Sequence, residues 1–352
     1  MNYKAEFKNK KIIITGHTGF KGSWLTAILV SYGAKVTGIS DNKIKNSHIK
    51  YLKLKNKIKD IKIDIRNEKK ISSIFQKVQP DFVFHLAAQS LVPKSVLKPG
   101  ETWSTNVIGT FNVLNSLRLK KRGKCTGIII TSDKCYKNTE NFNGYSETDI
   151  LGGEDPYSAS KASAENVFFS EFKTYFQKSK NIRVASVRAG NVIGGGDWSV
   201  DRLIPDLMKS FRFNQKVKIR SINSVRPWQH VLEPLFGYLK LAAMLKKNKQ
   251  LNGQSFNFGP KTSDFFTVKE LINEINKNLE FRKIKIIRKK RNFKESKVLK
   301  LKINKVKKLL KWSPALDFKL TIKLTVDWYL NYFKKNILTF DQIEEYKRRL
   351  IK

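Results

Sequence analysis

The chain has few of the residues that hold disulfide-rich or metal-binding proteins together. Its 352 residues include only two cysteines, Cys125 and Cys135, and four histidines. No CxxC motif and no close cluster of cysteines and histidines occurs. The sequence therefore excludes a disulfide scaffold, gives no support for a metal site and is typical of a protein of the reducing cytoplasm.

Long apolar runs and acidic residues are also scarce. No stretch approaches the roughly 18 apolar residues of a membrane span, and residues 1–10 lack the apolar core of a signal peptide. We therefore expect no membrane partner. The 70 Lys and Arg residues against 29 Asp and Glu give a net charge of +41. Because the lysines are spread along the chain, we interpret this charge as compositional and expect no specific nucleic-acid partner, although it would attract an anionic substrate.

Apolar runs and helical patterns alternate through the first half of the chain. We expect strands near 11–15, 34–39, 61–63, 81–86, 126–131 and 182–187, with helices over 23–32, 105–120 and 157–177. This alternation predicts an α/β fold with a doubly wound parallel sheet of the Rossmann type. The rhythm breaks after Gly190, so we expect a Rossmann domain over 1–190. A smaller, mainly substrate-binding region should cover 191–352, with segments such as 255–258 that return to the sheet.

A glycine-rich turn follows the first strand and opens a helix. Glycines at Gly16, Gly19 and Gly22 allow a tight turn and close backbone approach to a diphosphate, while the helix N-terminus supplies N–H donors. This pattern predicts a dinucleotide site. Asp41 follows the second strand, where a carboxylate binds the adenosine ribose and favours NAD over NADP. Asp64 follows the third strand and is either an adenine contact or an ordinary strand-end carboxylate.

Five residues predict the chemistry. Tyr157 and Lys161 lie four residues apart and share one helix face, so the ammonium can favour the phenolate that accepts a hydroxyl proton. Ser132 ends a strand and can bind the same oxygen. Asp133 and Lys134 add an ionisable pair that simple hydride transfer does not need, which indicates a second chemical step on the same substrate.

The motifs together resemble the extended short-chain dehydrogenase/reductase family, and within it the nucleotide-sugar 4,6-dehydratases. The resemblance runs nearly end to end and is carried by residues 15–24, 84–89, 104–107, 131–136, 155–161, 187–198, 201–206, 226–234 and 257–260. It implies NAD as cofactor, oxidation at sugar C4 with Tyr157 as base, loss of the C6 hydroxyl with Asp133 as acid, and return of hydride to C6. Lys134 is either a neutral base for the C5 proton or a cation that stabilises the enolate; a purely structural lysine is the weakest alternative.

The resemblance also implies the binding residues and partners. The cofactor contacts it implies are Gly16, Thr18, Gly19, Phe20, Gly22, Asp41, Asp64, Ile65, Leu86, Ala87, Gln89, Asn106, Tyr157 and Lys161. The substrate contacts are Asn191 and Arg226 at the diphosphate, with Arg202 and His230 as helpers. The expected substrate is CDP-glucose; a GDP- or dTDP-hexose, or an epimerase or ketoreductase reaction, is the alternative. A homo-oligomer, either dimer or tetramer, is expected.

Three positions depart from the family pattern. Pro93 and Val96 replace an Arg and a Tyr that the family usually has after residues 87–89, and Lys302 replaces an Asp near the C-terminus. The resemblance implies that these differences change the sugar accepted or its affinity, while the catalytic motifs are intact.

Overall fold

The computed structural model describes residues 1–41, 46–54, 56–219, 221–261, 265–279, 281–288 and 298–350. The strands of these residues are β1 (Lys11–Thr15), β2 (Lys35–Ser40), β3 (Ile58–Lys62), β4 (Phe82–His85), β5 (Cys125–Ile130), β6 (Ile182–Ala189), β7 (Val192–Ile193), β8 (Lys216–Ile219), β9 (Val225–Arg226), β10 (Gln229–His230), β11 (Ser255–Phe258), β12 (Phe266–Thr267) and β13 (Lys285–Arg288). The α-helices are α1 (Tyr3–Phe7), α2 (Phe20–Ser31), α3 (Glu68–Val78), α4 (Val92–Leu97), α5 (Pro99–Trp103), α6 (Gly109–Arg118), α7 (Pro156–Glu171), α8 (Leu203–Phe213), α9 (Leu232–Lys247), α10 (Val268–Lys277), α11 (Asn304–Leu310), α12 (Phe318–Phe333) and α13 (Thr339–Arg349).

Seven parallel strands form the main sheet, in the order β11-β6-β5-β4-β1-β2-β3. The order reverses direction at β1, which lies between β2 and β4. In an open α/β sheet, ligands bind beyond the carboxyl ends of the strands at such a reversal. The predicted α/β fold with a doubly wound parallel sheet is confirmed, and its topology locates the site beyond β1, β4 and β5.

Burial on both faces explains why the central strands are continuous apolar runs. Ile12 and Ile14 of β1 pack into one apolar cluster with Trp24 of α2, whereas Ile13 packs into the cluster on the opposite face. All three isoleucines have no exposed surface. At about 25 cal/mol per Å² of apolar area, such burial dominates the stability of the sheet.

The second half of the chain contributes a strand to the main sheet and also contributes residues to the ligand site beyond it. β11 pairs in parallel with β6, from Ser255 beside Ser186 to Phe258 beside Ala189. Short strand pairs, β7 with β10 and β9 with β12, form separate small ladders. The division into units at 1–190 and 191–352 stays a prediction.

Several element boundaries differ from those expected. The helix expected over 105–120 starts earlier, because α5 continues through a π-helical turn at Ser104–Ile108 into α6. β3 starts at Ile58, earlier than the predicted start at 61. It is an edge strand with polar residues, so it lacks the apolar run by which the other strands were predicted. In the basic segment 282–291, β13 covers Lys285–Arg288, and 289–291 lie outside the described residues.

No helix among the described residues is both long and apolar enough to cross a membrane. Within the same described part of the chain, no group of three or more His, Cys, Asp or Glu side chains is placed to hold a metal ion.

Candidate active site

A cavity of about 410 Å³ lies beyond the carboxyl ends of the central strands. Its walls come from the start of α2, the segments after β4, β5 and β6, the first turns of α7 and α8, and β8 and β9. All five predicted catalytic residues border it, namely Ser132, Asp133, Lys134, Tyr157 and Lys161. The fold therefore brings together residues from the turn after β5 and from the first turns of α7.

The segment after β5 holds Asp133 beneath the cavity. Ser132 caps a short 3₁₀ turn at Asp133–Cys135, where its hydroxyl accepts a 3.2 Å hydrogen bond from the Lys134 N–H. The same hydroxyl donates to Asp133 Oδ1 at 3.0 Å. Asp133 is 4% exposed, and its Oδ2 is buried with no hydrogen-bond partner among the described residues. Burial raises the pKa of Asp133, against the opposing charge of Lys134, so the carboxyl is suited to hold a proton and donate it.

The N-terminal cap of α7 fixes the position of Tyr157. Asp155 accepts hydrogen bonds from the backbone N–H groups of Tyr157 and Ser158 at 2.9 and 3.0 Å, and Pro156 occupies the first helical position. Burial raises the pKa of Tyr157 to about 12, and a hydrogen bond with Ser132 opposes that shift. Burial lowers the pKa of Lys161 to about 8, which leaves it charged at neutral pH. The arrangement therefore supplies a phenol and a neighbouring ammonium in one cavity.

A buried ion pair anchors α7 to the sheet behind these groups. Glu165, one turn after Lys161, receives a 2.7 Å hydrogen bond from Arg188 Nη2 of β6 and a further hydrogen bond from Thr131 Oγ1. Although burial opposes ionisation, Arg188 and these hydrogen bonds hold the pKa of Glu165 below its usual value. Since Thr131 immediately precedes Ser132, this network fixes the two halves of the site relative to each other.

Lys21 is a cavity residue that the sequence analysis did not single out. It is the second residue of α2, within the glycine-rich segment Gly16–Gly22, and it borders the same cavity as Asp133 and Lys161. Burial, together with the positive charges of Lys161 and Arg202, lowers the pKa of Lys21 to about 7. A lysine placed two residues into a helix whose N-terminus points at a ligand site was the available sequence signal.

The glycine-rich turn has the close backbone packing that a diphosphate cradle requires. Gly16 has φ +74°, and a Cβ there would lie 2.7 Å from the backbone N of Ala87. A Cβ at Gly22 would lie 2.1 Å from the carbonyl oxygen of Gly16. Gly19 begins α2 without a side-chain cap, and Thr18 is held by a 2.6 Å hydrogen bond to Ser40. The N-terminus of α2 therefore offers its N–H groups to an anion, which fits the diphosphate of a dinucleotide.

The predicted adenosine contacts lie beyond β2 and β3. Asp41 directly follows β2 and is partly buried. Asp64 is bound by Arg66, whose Nη2 lies 2.6 Å from Asp64 Oδ2, so this carboxylate has an internal partner. Ile65 is buried against Gly109, where a Cβ would lie 2.4 Å from Ile65 Cδ1.

The segment after β4 is held by its own hydrogen bonds. Leu86 borders the cavity, and the Ala87 N–H donates to Thr15 Oγ1 at 3.3 Å. Gln89 and Asn106 bind each other: the Gln89 N–H donates to Asn106 Oδ1 at 2.8 Å, and Asn106 Nδ2 donates back to Gln89 O. Asn106 also donates to Ser160 of α7 at 2.9 Å. The Asn106 side chain thus supports both the loop and the Tyr157 helix.

Three of the four predicted substrate residues, Asn191, Arg202 and Arg226, border the cavity. Arg202 is held by Asp197 at 2.9 Å and by Ser90 at 2.9 Å. His230 is fully buried beside Trp24 and is not among the described residues that line the cavity. Burial lowers its pKa to about 3, so it is a neutral core residue, and we do not include it among the proposed substrate contacts.

The departures at Pro93, Val96 and Lys302 fall at different distances from this site. Pro93 borders the cavity at the second position of α4, whereas Val96 is half exposed on the same helix. The Lys302 N–H donates to the backbone oxygen of Tyr145, outside the cavity lining found among the described residues. Of the three, Pro93 is therefore the one placed to affect a bound sugar directly.

Comparison with known proteins gives several relatives. A profile of the family described as GDP-mannose 4,6 dehydratase matches residues 13–325. CDP-glucose 4,6-dehydratase of Salmonella typhimurium is 40% identical over 93% of this chain and 92% of its own length. CDP-paratose 2-epimerase of Salmonella typhi is 24% identical over 90% of this chain and 98% of its own length.

Solved structures share the same fold. UDP-glucose 4-epimerase of Thermotoga maritima superposes with a TM-score of 0.80 at 22% identity, over 92% of this chain and 99% of its own. dTDP-glucose 4,6-dehydratase of Bacillus anthracis, solved with NAD, superposes with a TM-score of 0.74 at 21% identity, over 91% and 96% of the two chains.

Proposed function

Because the chain belongs to the GDP-mannose 4,6 dehydratase family, we propose that it is an NAD-dependent nucleotide-sugar 4,6-dehydratase, a hydro-lyase that acts on CDP-glucose. Its product would be CDP-4-keto-6-deoxyglucose. The observation that carries the proposal is the presence of Asp133, a carboxyl whose pKa is raised by burial, in one cavity with Tyr157 and Lys161. Dehydrogenation alone has no use for such an acid, whereas loss of a hydroxyl group requires one.

The glycine-rich turn fits the diphosphate of NAD. When bound, NAD accepts a hydride from the sugar and later returns it. The turn Gly16–Gly22 would hold its diphosphate through the open N-terminus of α2, and Asp41 would bind the adenosine ribose. The remaining residues proposed to surround it are Thr18, Phe20, Asp64, Ile65, Leu86, Ala87, Gln89, Asn106, Tyr157 and Lys161.

Oxidation at C4 is assigned to Tyr157, with Ser132 and Lys161 beside it. Tyr157 takes the proton of the C4 hydroxyl, while Ser132 donates a hydrogen bond to the same oxygen. The charge of Arg202 and the Ser132 hydrogen bond both work against the burial that otherwise keeps the phenol protonated. Lys161 contributes an ammonium one helical turn away.

Elimination follows from the new C4 ketone, which acidifies the C5 hydrogen. Asp133 donates its proton to the C6 hydroxyl, which leaves as water. Its burial favours the protonated carboxyl, as does the lack of a hydrogen-bond partner for its Oδ2 among the described residues. Lys134, whose charge opposes that of Asp133, stabilises the negative charge that develops at the C4 oxygen.

The diphosphate of the sugar nucleotide is proposed to lie against Asn191 and Arg226, with Arg202 as a helper. A guanidinium can form two parallel hydrogen bonds with phosphate oxygens. Cytosine as the base is supported by the 40% identical relative named for CDP-glucose. A panel of CDP-, GDP-, dTDP- and UDP-glucose tests it: we expect turnover to be fastest with CDP-glucose, and a preference for another donor would contradict this choice.

Two variants test the reaction type. With CDP-glucose and no added reductant, Tyr157→Phe should show no reduced cofactor at about 340 nm. Asp133→Asn should accumulate it, because oxidation proceeds and elimination stalls, with turnover reduced about 10²–10⁴-fold. Asp149→Asn, on the polar loop before α7, is the matched control and should keep turnover. The similarity to an epimerase makes epimerisation the second candidate; under it, Asp133→Asn would scarcely alter the rate.

We also propose a homodimer, or a tetramer built from it, formed through the helices around α7. Large apolar side chains are exposed on α5, α7 and the turns beside them: Trp103, Ile108, Phe169 and Tyr175. Light scattering after size exclusion should give twice the chain mass or more, and Phe169→Glu should reduce it. A monomer at micromolar concentration would contradict this part. The cytoplasmic location stays a prediction, which cell fractionation tests.

A further inference from the structure

The 3₁₀ turn that carries Asp133 is anchored separately at its two ends. At the start, Thr131 binds Glu165 and precedes Ser132, which caps the turn. The Asp133 carboxyl has Ser132 as its partner at Oδ1 and no partner at Oδ2 among the described residues. The position of this acid therefore depends on the backbone of the turn, and so on the residue at which the turn ends, Tyr136.

Tyr136 is fixed through its phenol. The side chain is 2% exposed, and its ring stacks on that of Tyr145 with the centroids 5.2 Å apart. Its hydroxyl donates a 2.7 Å hydrogen bond to Asn257 Oδ1 and accepts a 2.8 Å hydrogen bond from Arg188 Nη1. A buried hydroxyl that is engaged both as donor and as acceptor cannot move without leaving a polar partner unsatisfied.

The two partners of this hydroxyl are neighbours in the main sheet. Asn257 of β11 pairs in register with Arg188 of β6. Residues paired in this way project to the same face, so the two side chains reach one hydroxyl from adjacent strands. Arg188 also binds Glu165, which holds Thr131. Both ends of the turn are therefore attached to one buried network.

Asn257 connects this network to the second half of the chain. It has no exposed surface, and its Nδ2 donates to the backbone oxygens of Tyr145 at 3.0 Å and Lys302 at 3.3 Å. Its Oδ1 accepts the hydrogen bond from Tyr136. Because Lys302 contributes its backbone oxygen, this contact does not require the Asp that the family usually has there. Asn257 thus ties β11 and the segment around 302 to the turn that carries the acid.

We propose that Tyr136 and Asn257 are positioning residues for the elimination, an inference that rests on the proposed function. Through the Tyr136 hydroxyl they hold the end of the turn, and with it the Asp133 carboxyl, within reach of the C6 hydroxyl. Proton transfer needs a heavy-atom distance of about 2.6–3.2 Å, and a displacement of about 1 Å is enough to slow a step about 10²-fold. Oxidation at C4 depends less on this anchor, because Tyr157 and Lys161 are carried by α7.

Transient kinetics of Tyr136→Phe, loaded with NAD and mixed with CDP-glucose, separate the two steps. The substitution removes the phenol oxygen and keeps the ring that stacks on Tyr145. Reduced cofactor, read near about 340 nm, should form within about threefold of the wild-type rate and then accumulate. Turnover should fall about 10–100-fold, because elimination is slowed. Wild-type turnover, or equal losses in oxidation and elimination, would overturn the proposal.

Tyr346→Phe is the matched control. It also removes the hydroxyl of a buried tyrosine, which donates a 2.7 Å hydrogen bond to Glu233, and Tyr346 is not among the described residues that line the cavity. Both variants should lower the midpoint of urea unfolding, but only Tyr136→Phe should accumulate reduced cofactor. The same accumulation in Tyr346→Phe would mean that lost stability slows the elimination, and the positioning role would be wrong.

A double-mutant cycle tests whether Asn257 acts through Tyr136. Asn257→Ala alone should slow elimination about as much as Tyr136→Phe does. In the Tyr136→Phe background it should add less than about threefold, because two residues that act through one hydrogen bond do not contribute additively. Fully additive losses would contradict the role of Asn257.

The two cysteines report on the turn without any need for turnover. Both are buried: Cys135 lies in the turn and Cys125 begins β5. Pulsed alkylation with iodoacetamide, followed by peptide mass spectrometry, compares their rates of modification. Tyr136→Phe should raise the rate of Cys135 relative to Cys125 at least about fivefold, because the turn opens more often, while Tyr346→Phe should leave the ratio unchanged.

An unchanged ratio in Tyr136→Phe would overturn the anchoring of the turn, whatever the enzyme does with a sugar. Failure of the wild-type enzyme to oxidise any donor would refute the proposed function, and with it the link of this anchor to the elimination.

Discussion

Arg188 on β6 donates a 2.7 Å hydrogen bond to Glu165 on α7, and both side chains are almost completely buried. The pair ties the helix that carries Tyr157 and Lys161 to strand β6 of the main sheet. Loss of one partner leaves an uncompensated charge in the interior, which typically costs about 3–5 kcal/mol.

Arg188→Met is therefore expected to lower the free energy of unfolding by about 3–5 kcal/mol in urea denaturation. The control is Lys277→Met, which breaks an ion pair with Glu274 in which the lysine side chain is 68% exposed. That variant should change stability by less than about 1 kcal/mol. Equal, small effects of the two substitutions would contradict an anchoring role for the buried pair.

The glycine-rich turn gives a prediction about cofactor affinity. Gly22→Ala places a Cβ within 2.1 Å of the Gly16 carbonyl oxygen, so the turn must move away from its present shape. We expect NAD affinity, measured by calorimetry, to fall at least about tenfold while a thermal melt still shows a folded protein. Gly100→Ala, at a helical glycine with open space around it, should bind NAD like the wild type. Unchanged affinity in Gly22→Ala would remove the turn from the cofactor site.

Substitution of Asn106 distinguishes a structural role of this side chain from a direct contact with the cofactor. It binds the Gln89 backbone on one side and Ser160 of α7 on the other. Asn106→Ala leaves buried partners unsatisfied and should cost about 1–3 kcal/mol of stability as well as NAD affinity. Loss of NAD affinity with unchanged urea midpoint would indicate a cofactor contact alone.

Glu233 gives a pH dependence of stability. Its carboxyl accepts hydrogen bonds from the backbone N–H groups of Ala315 and Leu316 and from Tyr346, yet burial raises its pKa to about 7. A folded-state pKa above that of the unfolded chain stabilises the fold below about pH 4.5, and this stabilisation is lost as pH rises through about 7.

Glu233→Gln should remove this pH dependence of the free energy of unfolding. The dependence amounts to on the order of 3 kcal/mol between the low-pH and the high-pH limit of the Glu233 titration. Urea denaturation at a series of pH values measures the difference from the wild type. Glu345→Gln, at a partly exposed ion pair, should leave the profile unchanged. A wild-type slope in Glu233→Gln would show that the carboxyl does not titrate in this range.

The sequence was most informative where one local pattern determines the structure. Apolar runs predicted β1 and β5 within a residue, because strands buried on both faces must be apolar throughout. The Tyr157–Lys161 spacing predicted one helix face, because i and i+4 positions always share one. The sequence predicts only part of the edge strand β3, because its polar residues do not form such a run.

Long-range contacts set the properties that sequence could not reveal. Lys21 belongs to a motif interpreted as a phosphate cradle, and only the folded chain places it at the same cavity as Asp133 and Lys161. His230 lies in a motif typical of the substrate region, but its ring packs in the core beside Trp24.

The central claim is that one site oxidises C4, expels water from C5 and C6, and returns the same hydride to C6. The most direct test uses CDP-glucose with deuterium at C4, incubated with the NAD-loaded enzyme and no added reductant. We expect a product lighter by one water that carries the deuterium at C6, as read by mass spectrometry and NMR. A sugar of unchanged mass, or a dehydrated product without deuterium at C6, would contradict it.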